Sequence, residues 1–277
     1  MAAPSHIFVT GGTGKTGRAV VAGLTKRGIA ARTPSATSVR FDWMDRHTYT
    51  DALAGVDGVY LVAPVGVLDP APVMSQFISR AVAGGVRRFV LLSSSAIPID
   101  GSAMGQIHRI LADEAPEWAV LQPSWFMQNF TEGQHGETIR KEGKIFSATG
   151  EAAVAFIDAD DIGEVAAVCL SSETALNDGV VLTGPSALSN DEVAAVISTH
   201  ARREVTHVNL EPTELTKRFT TLGLNPDYAA FLAQLDTFLA SGTEARTTNG
   251  VQELTGRAPR SFADFAACHA HAWRENR

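Results

Sequence analysis

The chain has 277 residues, enough for one large domain or a domain and a half, and its 45% hydrophobic and 19% charged residues suit a globular enzyme and exclude a disordered or fibrous chain. A formal charge of -7 argues against a large nucleic-acid surface while leaving room for a local basic pocket around a phosphorylated cofactor. No run of about eighteen apolar residues is present to cross a membrane, and MAAPSHIFVT lacks the pattern of a secretory signal, so a cytoplasmic location is expected.

From the amino end, residues 6–10 read as a short buried strand. A glycine-rich turn then opens a helix over 15–26, where Val20, Val21 and Leu24 recur at helical spacing. Strands are expected at 29–32 and 39–41, a helix near 47–54, and a fourth strand at 58–63. Asp69 followed by Pro70 predicts a helix start, and Gly84-Gly85 its stop. A buried fifth strand at 88–93, a helix at 102–113 and a sixth strand at 118–122 complete the alternation. Strands alternating with helices of this length imply a parallel sheet covered on both faces, an α/β, Rossmann-type doubly wound fold.

After Pro123 the alternation loosens. Ser189-Asn190-Asp191-Glu192 reads as a capping box opening a helix at 191–200. A strand at 204–209 and helices near 212–222 and 226–240 make a smaller α/β C-terminal substrate lobe. The expected organisation is a single unit over 1–277, with about 1–150 mainly dinucleotide-binding and about 151–277 mainly substrate-binding, the two interleaved. Cys169 and Cys268 are too few and too far apart for a disulfide framework or a CxxC metal site, and each falls where a small buried hydrophobe would serve.

The turn TGGTGKTG contains the letters GKT of an ATP-binding loop, yet that loop requires a glycine where Val9 stands. The spacing Gly11, Gly14, Gly17 directly after a strand fits a dinucleotide turn instead. Gly11 makes the turn, Gly14 admits a pyrophosphate, Gly17 allows close packing, and the helix start turns its amides toward phosphate. Thr13, Lys15 and Thr16 become its neighbours, able to contact it by amide, hydroxyl or ammonium. The second strand ends at Arg32, with Thr33 and Ser35 beside it. An arginine there pairs with a 2'-phosphate and favours NADPH/NADP+ over NADH, unless it is a solvated surface residue. Asp42 either accepts from the adenine amino group or caps the following turn.

At this point GGTGKTG, VRFDWMD, VLLSSSAI, GQIHRIL, AVLQPSWFMQNF, AFIDADDIGEVAA and TGRAPRSFADFAACHAHAW, in that order, resemble the NmrA-like atypical short-chain dehydrogenases/reductases. The likeness covers essentially the full length and is strongest to the branch of the ergot-alkaloid reductases (festuclavine synthase, agroclavine dehydrogenase) and the related bacterial quinone oxidoreductases. The resemblance implies an NADPH-binding Rossmann architecture, and it implies that His108 occupies the region where a lysine or histidine meets the nicotinamide ribose. The chain departs from the wider superfamily in one respect: SAMGQIHRILADEA carries neither the tyrosine nor the lysine of Tyr-x-x-x-Lys. Without that acid, ketone reduction is handicapped, whereas an iminium carbon accepts hydride with no proton to supply.

Ser93, Ser94 and Ser95 end the strand at 88–93, where open α/β sheets place their ligands; they either meet ribose and substrate or bond to turn backbone. Ser95 and His108 are the candidates for contact with the reacting groups, His108 being otherwise a satisfied packing residue. Ala63 and Pro64 line the cofactor by backbone, and Pro123 the nicotinamide face. Trp125, Phe126 and Asn129 are expected to meet the substrate, the aromatics stacking on a flat or cationic ring or else packing between lobes. Asp158, Asp160 and Asp161 look like a metal cluster but begin a helix, and His269 and His271, two apart on a final helix, face different directions, so no metal is expected. The leading function is an NADPH-dependent reductase of an imine, iminium or similar electron-poor double bond in a bulky cyclic metabolite. The alternatives are a quinone oxidoreductase and an NADP-binding redox sensor without turnover. No nucleic acid or membrane partner is expected, and the chain is read as a monomer or homodimer.

Overall fold

The computed structural model describes residues 3–35, 38–99, 101 and 103–274. The chain divides into two compact units, and it passes between them five times. The first unit holds residues 1–123, 159–182 and 250–257, and the second holds 124–158, 183–249 and 258–277.

The first unit is built on a six-stranded parallel sheet. Its strands are β1 (His6–Val9), β2 (Ala30–Arg32), β3 (Gly58–Leu61), β4 (Arg88–Leu92), β5 (Glu117–Pro123) and, after an excursion through the second unit, β7 (Asp178–Leu182). Their order is β2-β1-β3-β4-β5-β7, every pairing parallel. Helices α1 (Lys15–Lys26) and α6 (Ala159–Ser171) pack together against one face. On the other face α2 (Tyr49–Leu53), α3 (Ala71–Ala83) and α4 (Met104–Glu114) share a core with Phe8, Val59, Leu61, Phe89, Leu91 and Val120. The short α10 (Gly250–Thr255) closes the unit against β7. Strands buried on both faces and covered by helices make the doubly wound fold expected from the sequence.

Two corrections concern the strand count. Residues 39–41 form no strand; one isolated bridge joins Pro34 to Val39, because Phe41 is drawn into an aromatic cluster with Phe8, Trp43, Tyr49 and Phe77. The strands expected as fourth, fifth and sixth are therefore β3, β4 and β5. The sixth strand of the sheet is DGVVL, which the sequence reading left without an assignment. Helix α3 starts one residue later than expected, at Ala71, whose amide is capped by the Asp69 carboxylate at 3.2 Å. Ser102, the expected start of the following helix, lies outside the described residues; α4 runs from Met104.

In the second unit β6 (Lys144–Ser147) and β8 (Thr206–Asn209) pair in parallel, surrounded by α5 (Gly133–Glu142), α7 (Asn190–Ala201), α8 (Pro212–Thr221), α9 (Pro226–Leu239) and α11 (Phe262–His269). The capping box is formed as read: Ser189 accepts from the Glu192 amide and Glu192 from the Ser189 amide. Cys169 is buried, its thiol raised to about 12 by desolvation, but Cys268 is exposed, contrary to the expectation of two buried cysteines. The reason is helical phase: Phe262, Phe265 and Ala266 take the inward face of α11 and leave Cys268 outside.

The turn after β6 leans on a buried carboxylate, Asp236 of α9, which accepts from the Ala148 amide at 2.9 Å and whose pKa burial raises from 3.8 to about 6. A raised folded pKa means that the folded chain holds this proton more tightly than the unfolded chain. The stabilisation is complete below about pH 4 and is lost as pH rises through about 6, to a ceiling of about 3 kcal/mol. Asp236→Asn keeps an acceptor for Ala148 without the charge. It should flatten this part of the pH dependence and leave the protein at neutral pH at least as stable as the wild type, measured by urea denaturation from about pH 4 to about pH 7.

Candidate functional site

Strand order reverses between β1 and β3, so the crevice beyond their carboxyl ends is where a sheet of this kind receives a ligand. Thr10 fixes the geometry there. Its hydroxyl donates to the Tyr60 carbonyl at 2.9 Å and accepts from the Val62 amide at 2.8 Å, carrying the β1–β3 pairing past the end of both strands. Gly11 then turns the chain through a positive φ of 64°, and the Gly14 amide closes the loop on the Gly11 carbonyl at 2.8 Å.

Helix α1 starts in this turn with Gly14 as its extended N-cap, no side chain capping the first amides and no acidic residue in the first turn. A Cβ at Gly14 would press on the Gly11 carbonyl oxygen at 3.1 Å and meet nothing else within 4 Å, and the residue itself is exposed. Uncapped amides at the positive end of a helix dipole, behind an exposed glycine, suit a pyrophosphate. Gly17 is needed for another contact: its Cβ would lie 2.1 Å from the Gly11 carbonyl oxygen, so it admits the turn itself against the helix. Gly12 was not singled out from the sequence, yet a Cβ there would lie 2.4 Å from the Thr33 side chain beyond β2. Thr13 and Gly14 are exposed and Lys15 half-buried. Thr16 is buried beneath the turn, beside the fully buried Tyr60 hydroxyl, which removes the expectation that its own hydroxyl reaches phosphate.

At the end of β2, Arg32 is half-buried, and its Nη1 donates to the Ala52 and Ala54 carbonyls at 3.3 and 2.9 Å, capping the carboxyl end of α2. No acidic residue stands between Ala30 and Arg40. One carboxylate oxygen of Asp42 accepts from the Met44 amide at 2.9 Å, the turn-capping alternative of the two left open.

Beyond β3, Ala63 and Pro64 are half-buried and Val65 is almost fully exposed. Beyond β4, the Ser93 amide donates to the Leu121 carbonyl and the Ser95 amide to the Pro123 carbonyl, at 2.8 and 3.0 Å, so all three serines are held at the carboxyl edge of the sheet. Ser94 also accepts from the Ala96 amide.

His108 does not join them, and here the sequence expectation is corrected. Its ring packs edge-on against Trp118 at 5.4 Å and lies so close to Gly179 that a Cβ there would meet it at 3.0 Å. Trp118 and Gly179 are the second residues of β5 and β7, toward the amino edge of the sheet. Burial lowers the His108 pKa below its usual value, which keeps the ring neutral. The phase of α4 explains the placement, since Met104, Ile107, His108 and Leu111 form its buried face.

In the second unit Trp125, Phe126 and Asn129 are half-buried, while Met127, Gln128 and Phe130 are buried. Two backbone bonds of 2.9 Å, from the Met127 amide to the Ile157 carbonyl and from the Ile157 amide to the Trp125 carbonyl, hold the segment against the approach to α6. Trp125 packs on the core of this unit. Asp158 is fully buried and ion-paired with Arg260, and Asp161 pairs with Arg257 at 3.2 Å. The helix α11 ends at His269, so His269 and His271 do not diverge as expected; their rings lie side by side at 6.4 Å. Among the described residues no group of three or more His, Cys, Asp or Glu is arranged to hold a metal ion, and no helix is long and apolar enough to cross a membrane.

A family model described as NAD(P)H-binding matches residues 11–173. The uncharacterized oxidoreductase YesF of Bacillus subtilis is 42% identical over 275 residues, covering 96% of each chain. Agroclavine dehydrogenase of Claviceps fusiformis is 38% identical over 285 residues, covering 96% of this chain and 98% of its own. Among solved structures, an NADPH-dependent quinone oxidoreductase of Escherichia coli in complex with NADPH superimposes with a TM-score of 0.79 at 23% identity, over 95% of this chain and 99% of that one, a likeness of fold.

The glycine turn yields a test. Gly14→Val should lower the melting temperature by only a few degrees, its Cβ meeting a single backbone oxygen at 3.1 Å, yet weaken dinucleotide binding at least ~100-fold. Gly17→Ala should lower the melting temperature further, because it drives into backbone. Fluorescence titration and calorimetry on the two variants check both.

Proposed function

The chain belongs to the NAD(P)H-binding oxidoreductase family that includes agroclavine dehydrogenase, and we propose that within it the protein is an NADPH-dependent reductase delivering hydride to an iminium, imine or related electron-poor double bond of a cyclic substrate. The observation that carries this reading is that, among the described residues, the segments that leave β3 and β4 at the carboxyl edge offer no ionisable acid. The segments Val62–Gly66 and 93–97 offer backbone and serine hydroxyls, with no tyrosine, histidine, lysine, aspartate or glutamate. His108 supplies none either, being neutral and turned toward Trp118 and Gly179.

When bound, the nicotinamide supplies a hydride equivalent. The residues suited to hold the dinucleotide are Gly11, Thr13, Gly14, Lys15, Thr16 and Gly17 at the pyrophosphate, with Thr16 acting through its amide. Arg32 and Asp42 stand toward the adenosine end, Ala63 and Pro64 beyond β3, and Ser93, Ser95 and Pro123 at the nicotinamide end. Trp125, Phe126 and Asn129 are the residues proposed for the substrate, two aromatic faces and one amide; a ring quadrupole attracts a cation by about 0.5 to 2 kcal/mol. At an iminium carbon the incoming hydride pair forms the C–H bond while the C=N pair returns to nitrogen, giving a neutral amine with no proton transferred. At a ketone the developing alkoxide would require a proton from an ionisable acid, which the described residues of these segments lack.

Deuteride transfer from C4-labelled NADPH to an N-methylated dihydroisoquinolinium tests the reading. Deuterium should appear at the former iminium carbon, with a rate nearly flat between about pH 6 and about pH 8, and His108→Gln should stay within about threefold of wild type. Consumption of NADPH with simple quinones and none with any iminium would sink the proposal in favour of quinone reduction. NADPH, rather than NADH, is proposed because β2 ends in Arg32 with no carboxylate to accept from a ribose 2'-hydroxyl. Arg32→Ala should reduce the preference for NADPH over NADH about 10- to 100-fold, read as the ratio of the two Kd values, which a loss of α2 capping alone would leave unchanged.

A further inference from the structure

TGRAPRSF and AFIDADDIG meet through two ion pairs whose spacing matches. Arg257 and Arg260 are three residues apart, as are Asp161 and Asp158, and the pairing is antiparallel, Arg257 with Asp161 and Arg260 with Asp158. Each pair lies within one unit, Arg257–Asp161 in the first and Arg260–Asp158 in the second, on either side of the points where the chain changes unit. The second pair is the deeper one. Asp158 is 0% exposed and, besides Arg260, accepts from Gln128 Nε2 at 2.7 Å.

Gln128 sits between Met127 and Asn129 in a short 3-10 turn, and its own side chain is buried. The turn and the residues before it are held to 155–158 by the two Ile157 bonds and by the Ser124 hydroxyl on the Ala155 carbonyl. Backbone bonds fix where this segment runs, and the Gln128–Asp158 bond ties the buried side chain of the turn, next to Asn129, to the ion pair. A buried carboxylate deprived of its arginine turns toward other donors, and that movement loosens its hold on the Gln128 amide.

We infer that Arg260, Asp158 and Gln128 form a positioning relay that sets the substrate face presented by Trp125, Phe126 and Asn129, and so governs affinity for the hydride acceptor without touching it. The inference rests on the reductase reading for the identity of the acceptor, but not for the existence of the relay. All three residues belong to the second unit, whereas the glycine turn belongs to the first. Loss of the relay therefore acts on the acceptor and spares the dinucleotide.

The test uses the full-length protein and the variants Asp158→Asn, Arg260→Gln, Arg260→Lys and Gln128→Leu. The expected results are NADPH Kd values within about twofold of wild type, an acceptor KM raised about tenfold or more by Arg260→Gln and Gln128→Leu with kcat within about threefold, and recovery of most of that loss in Arg260→Lys, which keeps a cation opposite Asp158. Hydrogen exchange, which needs no substrate, should show the amides of 127–130 exchanging about tenfold faster in Gln128→Leu, which removes the donor to Asp158. NADPH affinity lost in step with the rise in acceptor KM would mean a merely structural role and would overturn the inference. So would unchanged exchange at 127–130, or faster exchange with an unchanged KM. If the wild type reduces no iminium or quinone, the reductase reading fails by itself, and the exchange result still decides whether the relay holds the turn. Gln128→Leu leaves the ion pair intact, so the test survives if the Asp158 and Arg260 variants fold poorly.

Discussion

The cofactor end of this protein depends on how closely backbone can approach backbone between Val9 and Gly17. A Cβ at Gly17 would lie 2.1 Å from the Gly11 carbonyl oxygen, so α1 can begin where it does only because both positions are glycine. The same economy of side chains continues along the helix. At Gly163 of α6 a Cβ would lie 2.3 Å from the Cβ of Ala19, and at Gly23 of α1 it would lie 2.8 Å from that of Ala167, so the two helices cross on their smallest residues. Arg27 and Glu164 close the crossing with an ion pair at 2.5 Å. The direction of the α1 dipole, and with it the site of an anion, is thus set by packing as much as by the turn.

What was legible in the sequence was what is local. The spacing Gly11, Gly14, Gly17 and the box Ser189 to Glu192 are each local, and each marks a helix start, the first at Lys15 as expected and the second at Asn190, one residue before the expected 191. What was not legible depends on partners far along the chain. Gly12 is constrained by Thr33, Asp158 by an arginine 102 residues away, and neither dependence leaves a periodic signal. The sheet's last strand, DGVVL, escaped because it returns to β5 after a whole excursion through the second unit, so the alternation that marked the other strands had already lapsed. Residues 39–41 show the converse failure: a short apolar run suited to a strand was taken up by an aromatic cluster.

His108 illustrates a subtler limit. A histidine in the helix after β4 stands in the right stretch of sequence for a ribose contact, but one residue of helical phase, about 100°, decides whether it faces the carboxyl edge or the body of the sheet. Here the phase is fixed by Ile107 and Leu111, both fully buried, and His108 follows them inward. Desolvation then keeps the ring neutral, against the opposing influence of Asp178. Its placement matters to function chiefly by subtraction, since the edge loses the histidine that the helix could have lent it.

An edge without an acid places the burden of charge on the substrate. For the proposed acceptor the positive charge exists before hydride arrives and disappears as it arrives, so a site that stabilised the cation strongly in the ground state would slow the reaction. Aromatic faces such as those of Trp125 and Phe126 suit this requirement, because a ring quadrupole attracts a cation weakly and also receives the neutral amine by ordinary dispersion. A carboxylate in the same place would bind the iminium more tightly and oppose its neutralisation. The chain's excess of acidic residues, -7 in formal charge, can favour the encounter with a cation from a distance. The segment proposed for the substrate, from Trp125 to Phe130, carries no charge, and Asp158, which accepts from its Gln128, is buried and neutralised by Arg260. Long-range attraction and local neutrality are then supplied by different parts of one chain, which is the division that a charge-consuming reduction requires.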